Sequence, residues 1–472
     1  MTDSIVLLTV DCLRADHVGI YGYGRDTTPN IDGLAESGVR YDPAYSNGPG
    51  TRFAFKSLLG GVFPLQIAGT GLPVSDGETL AERLSSTGYR TAGFANNGFL
   101  ASYWHYDRGF DVFRNVNHWT ENSEHSTGML ERINRLSAII SKQLPEGRVY
   151  RTLKGIYNRF IRTVESQGAS FGITDSDVVD EAVEWIRDAQ DTGDPYFAWI
   201  HFMGAHAPYQ HHPEHREELG ISPEVKHIRN PPDLIEMGEE PPQDVIDTYD
   251  ANIRQVDEEI GRVLSVIDDE TTVVVTGDHG EEFGLHNEFH TESLYDSMAR
   301  VPLIVAGQMS DNLNGTEPAC HIDISATLAG AAESGPASVW DGVDLATDHH
   351  RDRIYLGYEN QGGVTGGVID YPWKYICRIS DGESIVSEEL YDTSADPTEH
   401  EDRSESASDR REALREDWLS HYEEIKTNRL QSPNGLFDGN QDLKELVQTE
   451  SQGTSQSEVE EIEDQLEYLG YK

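Results

Sequence analysis

The sequence predicts an α/β fold built on a parallel sheet with crossover helices, and three observations carry that prediction. The run from Ile5 to Val10 is almost continuously apolar, which is typical of a buried strand. A second run, of Thr and Val over 271–277, has the same character. Along the chain, helical and strand patterns alternate, as expected for parallel strands joined by crossover helices.

The first half of the chain follows this alternation in order. After the first strand and a loop rich in Gly and Tyr, Thr28 and Pro29 mark a helix start, with Thr as the cap and Pro in the first turn. A Gly/Pro loop, SNGPGTRF, leads into a second short helix. A third helix is predicted over 79–86, and a short strand over 91–95.

The second half contains longer elements. A helix over 245–267 carries a sustained apolar stripe and leads into the strand that ends before Asp278. An inserted helical region at about 115–170 also has an apolar stripe, which indicates packing rather than function. The other expected elements are helices at 176–189 and 411–426, strands at 196–202, 301–306 and 354–358, and a hairpin-like segment at 367–380.

The charge of the chain excludes one class of partner. Of 472 residues, 84 are acidic and 36 are Lys or Arg, which gives a formal net charge of −48. Nucleic acid is not an expected partner, because phosphate binding requires clustered cations. The acids are spread over almost every segment, and such a surface suits high salt, where self-repulsion is screened. We therefore expect a halophilic host with a salt-rich interior.

The cysteines and the apolar runs bear on the compartment. Cys12, Cys320 and Cys377 are odd in number and far apart, which argues against a disulfide framework and for a reducing interior. The first strand follows Met1 so closely that no signal peptide is expected. No apolar run approaches the roughly 20 residues that span a bilayer. The sequence thus predicts a cytoplasmic protein without a membrane span.

Residues of metal-ligand type follow the two most apolar strands. Asp11 comes directly after the first strand, and Asp278 with His279 comes directly after the run at 271–277. In α/β proteins, sites form at the carboxyl ends of strands. Oxygen and nitrogen donors gathered there suit Mg, Mn, Ca or Zn. The alternative is that Asp278 caps a helix beside a solvated His279.

Several motifs, in matching order and spacing, resemble the sulfatase family of the alkaline phosphatase superfamily. They are VDCLRADHVGIYGYG, TTPNIDGLAESGV, GFDVF, HFMGAHAPY, TGDHGEEFG, HTESLYDSMARVPLIV, HIDISATLAG, ELYDTSADPTEHED and the terminal LEYLGY. The resemblance covers nearly the whole chain. It implies a doubly wound α/β domain with a mixed central sheet and a small C-terminal subdomain of sheet and helix. The domains implied are a catalytic domain over 1–345, including the insertion, a C-terminal subdomain over 346–430, and a polar acidic tail with a short terminal helix over 431–472.

The resemblance also implies a nucleophile in the Gly/Pro loop, where this chain departs from the family. Family sulfatases carry Cys or Ser in a C/S-x-P-x-R motif, which is converted to formylglycine, and this chain has no such motif. Counting back at family spacing from Leu58-Leu59-Gly60-Gly61 leads to Thr51, so formylglycine is not expected. Coordination to a divalent cation brings a hydroxyl closer to ionisation at neutral pH. One divalent metal ion held by Asp11, Thr51, Asp278 and His279 is therefore expected; the alternative is that Thr51 caps a helix.

Other site residues are carried over from the same motifs. His206 matches a histidine beside the leaving group, where it can donate a proton. His290 matches a position that binds an ester oxygen, whereas His201 is expected to be a strand residue facing the core or the cleft. The Lys-x-His motif of the family is missing, so Arg14, Arg52 and Lys56 are the nearby cationic candidates and Asn96 or Asn97 are neutral donors.

The resulting functional hypothesis is a sulfatase-like, metal-dependent hydrolase or transferase that acts on a sulfuric or phosphoric ester of a small molecule or saccharide. Membership of the sulfatase family favours sulfate, and Thr51 favours phosphate. Cys12 stands where many sulfatases have a second metal-binding Asp, and its thiol is expected to pack rather than bind metal. The alternative function is a non-catalytic glycan- or anion-binding protein with a decayed site.

Overall fold

The structure of the protein is a computed structural model that describes residues 4–73, 78–115, 173–224, 243–287, 292–347, 351–360, 362–380, 383–432 and 462. The predicted insertion at about 115–170 and most of the predicted tail lie outside the described residues. The strands, numbered in chain order from β1 to β15, are Ile5–Val10, Val39–Tyr41, Ala44–Tyr45, Ile67–Ala68, Arg90–Phe94, Val112–Arg114, Tyr196–Phe202, Thr272–Gly277, Leu303–Ala306, Ala319–Cys320, Ile354–Asn360, Gly363–Asp370, Trp373–Ile379, Ile385–Asp392 and Leu430–Gln431. The α-helices, numbered α1 to α9, are Pro29–Glu36, Thr51–Leu58, Leu80–Ser86, Asp175–Thr192, Pro213–Glu218, Gln243–Leu264, Asp296–Ala299, His321–Ala331 and Ser408–Thr427.

Among the described residues, a seven-stranded mixed sheet forms the centre, in the order β2-β9-β8-β1-β7-β5-β6. Strand β1 lies between β8 and β7 and is parallel to both. At one edge, β9 runs antiparallel to β8, and β2 runs antiparallel to β9. The mixed sheet confirms the predicted fold class. Because Val10 is in register with both Phe202 and Gly277, strands β1, β7 and β8 end at the same edge.

The apolar character of β1 follows from burial on both faces. Leu7 belongs to one core cluster, which α2, α3 and α8 cover, and Leu8 belongs to another, which α1, α4 and α6 cover. Successive residues of a strand point to opposite faces, so a strand covered on both sides needs apolar residues at almost every position. Helix α4 continues past the predicted end to Thr192, where Gly193 ends it with a φ of 74°.

The C-terminal part contains a four-stranded antiparallel sheet in the order β11-β12-β13-β14. Helix α9 covers one face through Leu414 and Trp418. Gly366 on β12 makes this packing possible, since a Cβ there would lie 1.8 Å from a ring carbon of Trp418. Other residues of the sheet share an apolar cluster with Tyr45 and Phe53 of the N-terminal part. In the part of the chain that the structure describes, no helix has the length and apolar character needed to cross a bilayer.

Candidate active site

The site lies where β1 and β8 end together. The backbone N–H of Asp11 donates to the carbonyl of Phe202 at 2.9 Å, and that of Asp278 donates to the carbonyl of Val10 at 3.1 Å. The sheet ladder thus extends one residue beyond the strands and fixes both carboxylates. The backbone N–H of Cys12, which has a φ of 59°, donates to Asp278 Oδ1 at 3.2 Å. Asp11, Asp278 and His279 are all buried.

Thr51 is the first residue of α2 and points into this cluster. Its hydroxyl donates to Asp11 Oδ2 at 3.3 Å, and its Oγ1 lies 3.4 Å from His279 Nε2. The helix cap is Gly50, with a φ of 120° and no side-chain cap. The alternative in which Thr51 caps the helix through its hydroxyl is therefore not what the structure shows. The four predicted metal ligands Asp11, Thr51, Asp278 and His279 lie together.

His201, at the end of β7, belongs to the same cluster and was not included in the predicted ligand set. Its Nε2 lies 3.4 Å from Asp11 Oδ2, and its Nδ1 lies 3.0 Å from the Thr9 hydroxyl. The signal that identifies it is strand register: Thr9 is paired with His201, and Thr9 and Asp11 lie on the same side of the chain. That register becomes known only when β1 and β7 are known to be neighbours.

Two polar atoms of the cluster are left without a hydrogen bond among the described residues, Asp278 Oδ2 and His201 Nε2. One carboxylate oxygen of Asp11, one of Asp278 and a ring nitrogen of His201 all lie within 4.8 Å of one another. Buried polar atoms normally have partners. Oxygen and nitrogen donors converging in this way fit a divalent cation such as Mn, Mg, Zn or Ca.

The electrostatics of the two carboxylates support the same fit. Burial and the charge of Asp11 raise the pKa of Asp278 to about 6. Burial also acts to raise the pKa of Asp11, but His206, His201 and His279 outweigh it and hold that pKa far below its usual range. No lysine or arginine of the described chain contacts either carboxylate. A cation from outside the chain would relieve this repulsion.

Two further side chains surround Asp11. Asn97 donates from Nδ2 to Asp11 Oδ2 at 3.1 Å, so it lies within reach of the site as a neutral donor. The Cys12 thiol donates to Asp11 Oδ1 at 3.3 Å. Burial and the neighbouring carboxylates raise the pKa of Cys12 well above its usual range, which keeps it a thiol. Asn96 points elsewhere and donates to the carbonyl of Ile173 at 3.1 Å.

His206 lies in the loop after β7 and is buried beside the cluster. One of its ring nitrogens lies within 4.8 Å of an Asp11 oxygen and of the Cys12 sulfur. Its Nδ1 contacts the carbonyl of Ala207, so that nitrogen carries the proton and donates it there. The other nitrogen, Nε2, can deliver a proton to a substrate when the ring is in its doubly protonated, imidazolium form.

The predicted cationic residues are oriented away from Asp11. Lys56 Nζ donates to the carbonyls of Pro64, Ile67 and Gly69 at 3.4, 3.1 and 2.8 Å. The carbonyls of this buried segment need a donor, and Lys56 is the donor within reach. A role of Lys56 at ester oxygens stays a prediction. Arg52 pairs with Glu292. His290 lies outside the described residues.

Residues 3–334 match the sulfatase family. This chain belongs to the sulfatase family. It is similar to the uncharacterized sulfatase YidJ of Escherichia coli (strain K12), with 24% identity over 439 residues that cover 84% of this chain and 82% of that protein. It is also similar to arylsulfatase A of Bos taurus, with 24% identity over 442 residues that cover 84% and 78% of the two chains.

Solved structures show the same fold. The phosphonate monoester hydrolase of Agrobacterium radiobacter superposes with a TM-score of 0.63 at 17% identity, covering 90% of this chain and 96% of its own. A protein solved in complex with its substrate, D-glucosamine-2-N,6-O-disulfate, superposes with a TM-score of 0.65 at 17% identity, covering 91% and 99%. Membership of the sulfatase family indicates that this chain is an enzyme that hydrolyses sulfuric esters.

Proposed function

We propose that this member of the sulfatase family hydrolyses, or transfers, a sulfuric or phosphoric ester with Thr51 as its nucleophile. Asp11, Thr51, Asp278 and His279 would hold a divalent metal ion, with His201 as a further nitrogen donor. The observation that carries the proposal is the position of Thr51 Oγ1, 3.3 Å from Asp11 Oδ2 and 3.4 Å from His279 Nε2.

The first part of the mechanism concerns the Thr51 hydroxyl. A divalent cation bound in this cluster would stabilise negative charge on the threonine oxygen and on the ester oxygens. Thr51 occupies the first position of a helix, where the backbone N–H groups and the helix dipole also favour a negative charge. Its hydrogen bond to Asp11 fixes the oxygen within the cluster, and Asn97 holds the same carboxylate oxygen from another side.

The second part concerns the leaving alcohol. His206 Nδ1 is engaged by the Ala207 carbonyl, which orients the ring, so that the imidazolium form can give its Nε2 proton to the departing oxygen and become neutral. Burial of His206 keeps bulk water from competing for that proton. Thr51 has a single oxygen, so release of the covalent ester requires water to attack sulfur or phosphorus.

The experiment that tests this function measures nitrophenol release by the purified protein in high salt with Mn or Mg. The probes are 4-nitrophenyl sulfate, 4-nitrophenyl phosphate and bis(4-nitrophenyl) phosphate. Turnover of the sulfate or of the diester is expected, and the two results separate sulfuric from phosphoric ester chemistry. Absence of turnover on all three, with no metal retained after dialysis, would overturn the proposal in favour of a binding protein.

The setting of the reaction is part of the same proposal. The excess of acids over basic residues, 84 against 36, supports an enzyme that works in the salt-rich cytoplasm of a halophilic host. The substrate is a small-molecule or saccharide ester. Resistance of activity to molar KCl is the expected behaviour, and loss of activity there would contradict the setting.

A further inference from the structure

We propose that Glu292 selects the substrate by the charge of its alcohol part. Esters of neutral or cationic alcohols are accepted, and esters of anionic alcohols are disfavoured. The inference rests on the proposed function, because it concerns the alcohol side of the ester that Thr51 attacks.

Glu292 lies against the start of the helix that carries Thr51. A Cβ placed on Gly50, the residue directly before Thr51, would lie 3.3 Å from Cγ of Glu292. Because Gly50 has no Cβ, the Glu292 side chain can pack closely against the backbone beside Thr51. The Glu292 side chain is 28% exposed, whereas Thr51 is 2% exposed. The Glu292 side chain and the Gly50 backbone thus form one wall beside Thr51, and Glu292 is its solvent-exposed part.

The carboxylate is held in place by Arg52. Arg52 Nη2 donates to Glu292 Oε1, and the guanidinium of Arg52 lies 4.7 Å from the centre of the Phe53 ring. An arginine fixed on one side by an aromatic ring and on the other by a carboxylate is committed to both partners. Arg52 thus neutralises Glu292 in part and does not offer its charge to the substrate.

A second carboxylate, that of Glu282, acts on the same region from a fully buried position. Tyr358 packs against Phe53 with a centroid distance of 5.7 Å. Burial raises the pKa of Tyr358 to about 12; a hydrogen bond with Thr365 lowers it, Glu292 and Glu282 raise it, and Arg378 lowers it. Of the two acids, Glu292 is the one that is partly exposed.

Charge on the alcohol decides how the ester meets this wall. An anionic substituent would face the Glu292 carboxylate, whose nearby cation Arg52 is already paired, so repulsion weakens binding. A cationic substituent would gain attraction from the same carboxylate. The reacting group itself is monoanionic or dianionic and depends on the metal cluster, so the selection acts on the alcohol alone.

The test uses three aryl sulfates that carry a trimethylammonium, a tert-butyl or a carboxylate substituent, or the corresponding aryl phosphodiesters if those are the esters turned over. The measured quantity is the ratio of kcat/KM for the cationic to the anionic ester. Glu292→Gln should lower this ratio roughly tenfold, mainly through KM. Glu405→Gln, which changes an exposed acid of the C-terminal part, should leave it unchanged. Comparing each variant with the wild type cancels the different reactivities of the leaving groups.

A second measurement needs no variant. In the wild type, the same ratio should fall as the KCl concentration rises, because salt screens a partly exposed carboxylate. A ratio that is the same in wild type and Glu292→Gln, or a wild type that prefers the anionic ester, would overturn the inference while leaving the proposed function intact. Absence of turnover of every ester would overturn both.

Discussion

The Asp11 cluster at the sheet edge and the Lys374 cluster beneath the C-terminal sheet each bury two carboxylates. In the second cluster, Lys374 Nζ contacts Asp296, lies 2.6 Å from Glu399 Oε1 and donates to the carbonyl of Leu294 at 3.0 Å. Burial acts to lower the pKa of Lys374, but the two carboxylates outweigh it and raise that pKa. This cluster contains its own cation.

The Asp11 cluster has no such lysine among the described residues, and two of its buried polar atoms, Asp278 Oδ2 and His201 Nε2, make no hydrogen bond there. Buried charge is tolerated only when it is paired. A carboxylate pair that contains a lysine is complete and has a structural role. A carboxylate pair surrounded by histidines and a hydroxyl instead requires a cation from solution. This difference distinguishes the candidate functional site from the structural cluster.

The largest expected effect comes from the hydroxyl that points into the Asp11 cluster. Thr51→Ala should lower kcat by roughly a thousandfold or more, because it removes the proposed nucleophile, while the free energy of unfolding changes by about 1 kcal/mol or less. Nitrophenol release and urea unfolding measure the two quantities. Thr51→Ser is the matched control and should keep measurable turnover. Undiminished turnover by Thr51→Ala would refute the assignment.

The next effect tests the cluster that contains its own cation. Lys374→Met should lower the free energy of unfolding by about 3–5 kcal/mol, because Asp296 and Glu399 are left buried without a partner. Urea unfolding measures the loss. A triple variant that also carries Asp296→Asn and Glu399→Gln should recover part of it. A loss below about 1 kcal/mol would show that the comparison between the clusters is wrong.

The same cluster should make stability depend on pH. Burial raises the pKa of Glu399 from 4.5 to about 7, so the folded state holds a proton that the unfolded state releases. The resulting stability is fully present below about pH 4.5 and is lost as the pH rises through about 7. Urea unfolding of wild type and Glu399→Gln should be measured at a series of pH values. The free energy of unfolding of the wild type, relative to that of Glu399→Gln, should fall as the pH rises through that window. Parallel pH profiles would remove Glu399 as the cause.

The smallest effect separates the exposed acids from the buried clusters. Added KCl should raise the midpoint of thermal unfolding of wild type and of Lys374→Met by similar amounts, because salt screens exposed charges much more than buried pairs. Differential scanning calorimetry gives both midpoints. A midpoint that does not respond to KCl would contradict the proposed adaptation to high salt.

Much of the site could be predicted from the sequence because it lies at strand ends. An apolar run that stops at a carboxylate indicates both the end of a strand and a residue at the sheet edge, as Asp11 and Asp278 do. The position of Thr51 followed from the spacing of family motifs. The mixed sheet and the C-terminal sheet likewise followed from the resemblance to sulfatases.

The rest depended on contacts between distant segments. Whether His201 faces Asp11 is set by the register of β7 on β1, which no local pattern reveals. The orientation of Lys56 depends on the segment 64–69, whose carbonyls accept hydrogen bonds from Lys56 Nζ. The position of Glu292 depends on its packing against Gly50, a residue far from it in the sequence. Each of these is a consequence of packing rather than of local sequence.

The most direct test of the central claim is the metal content of the protein after dialysis, measured by mass spectrometry for the wild type and for Asp278→Asn. One divalent ion per chain is predicted for the wild type, with a clear loss in the variant, because Asp278 Oδ2 is a buried oxygen without a hydrogen bond in the described chain. A wild type that retains no metal and still hydrolyses its ester in the presence of a chelator would contradict the claim.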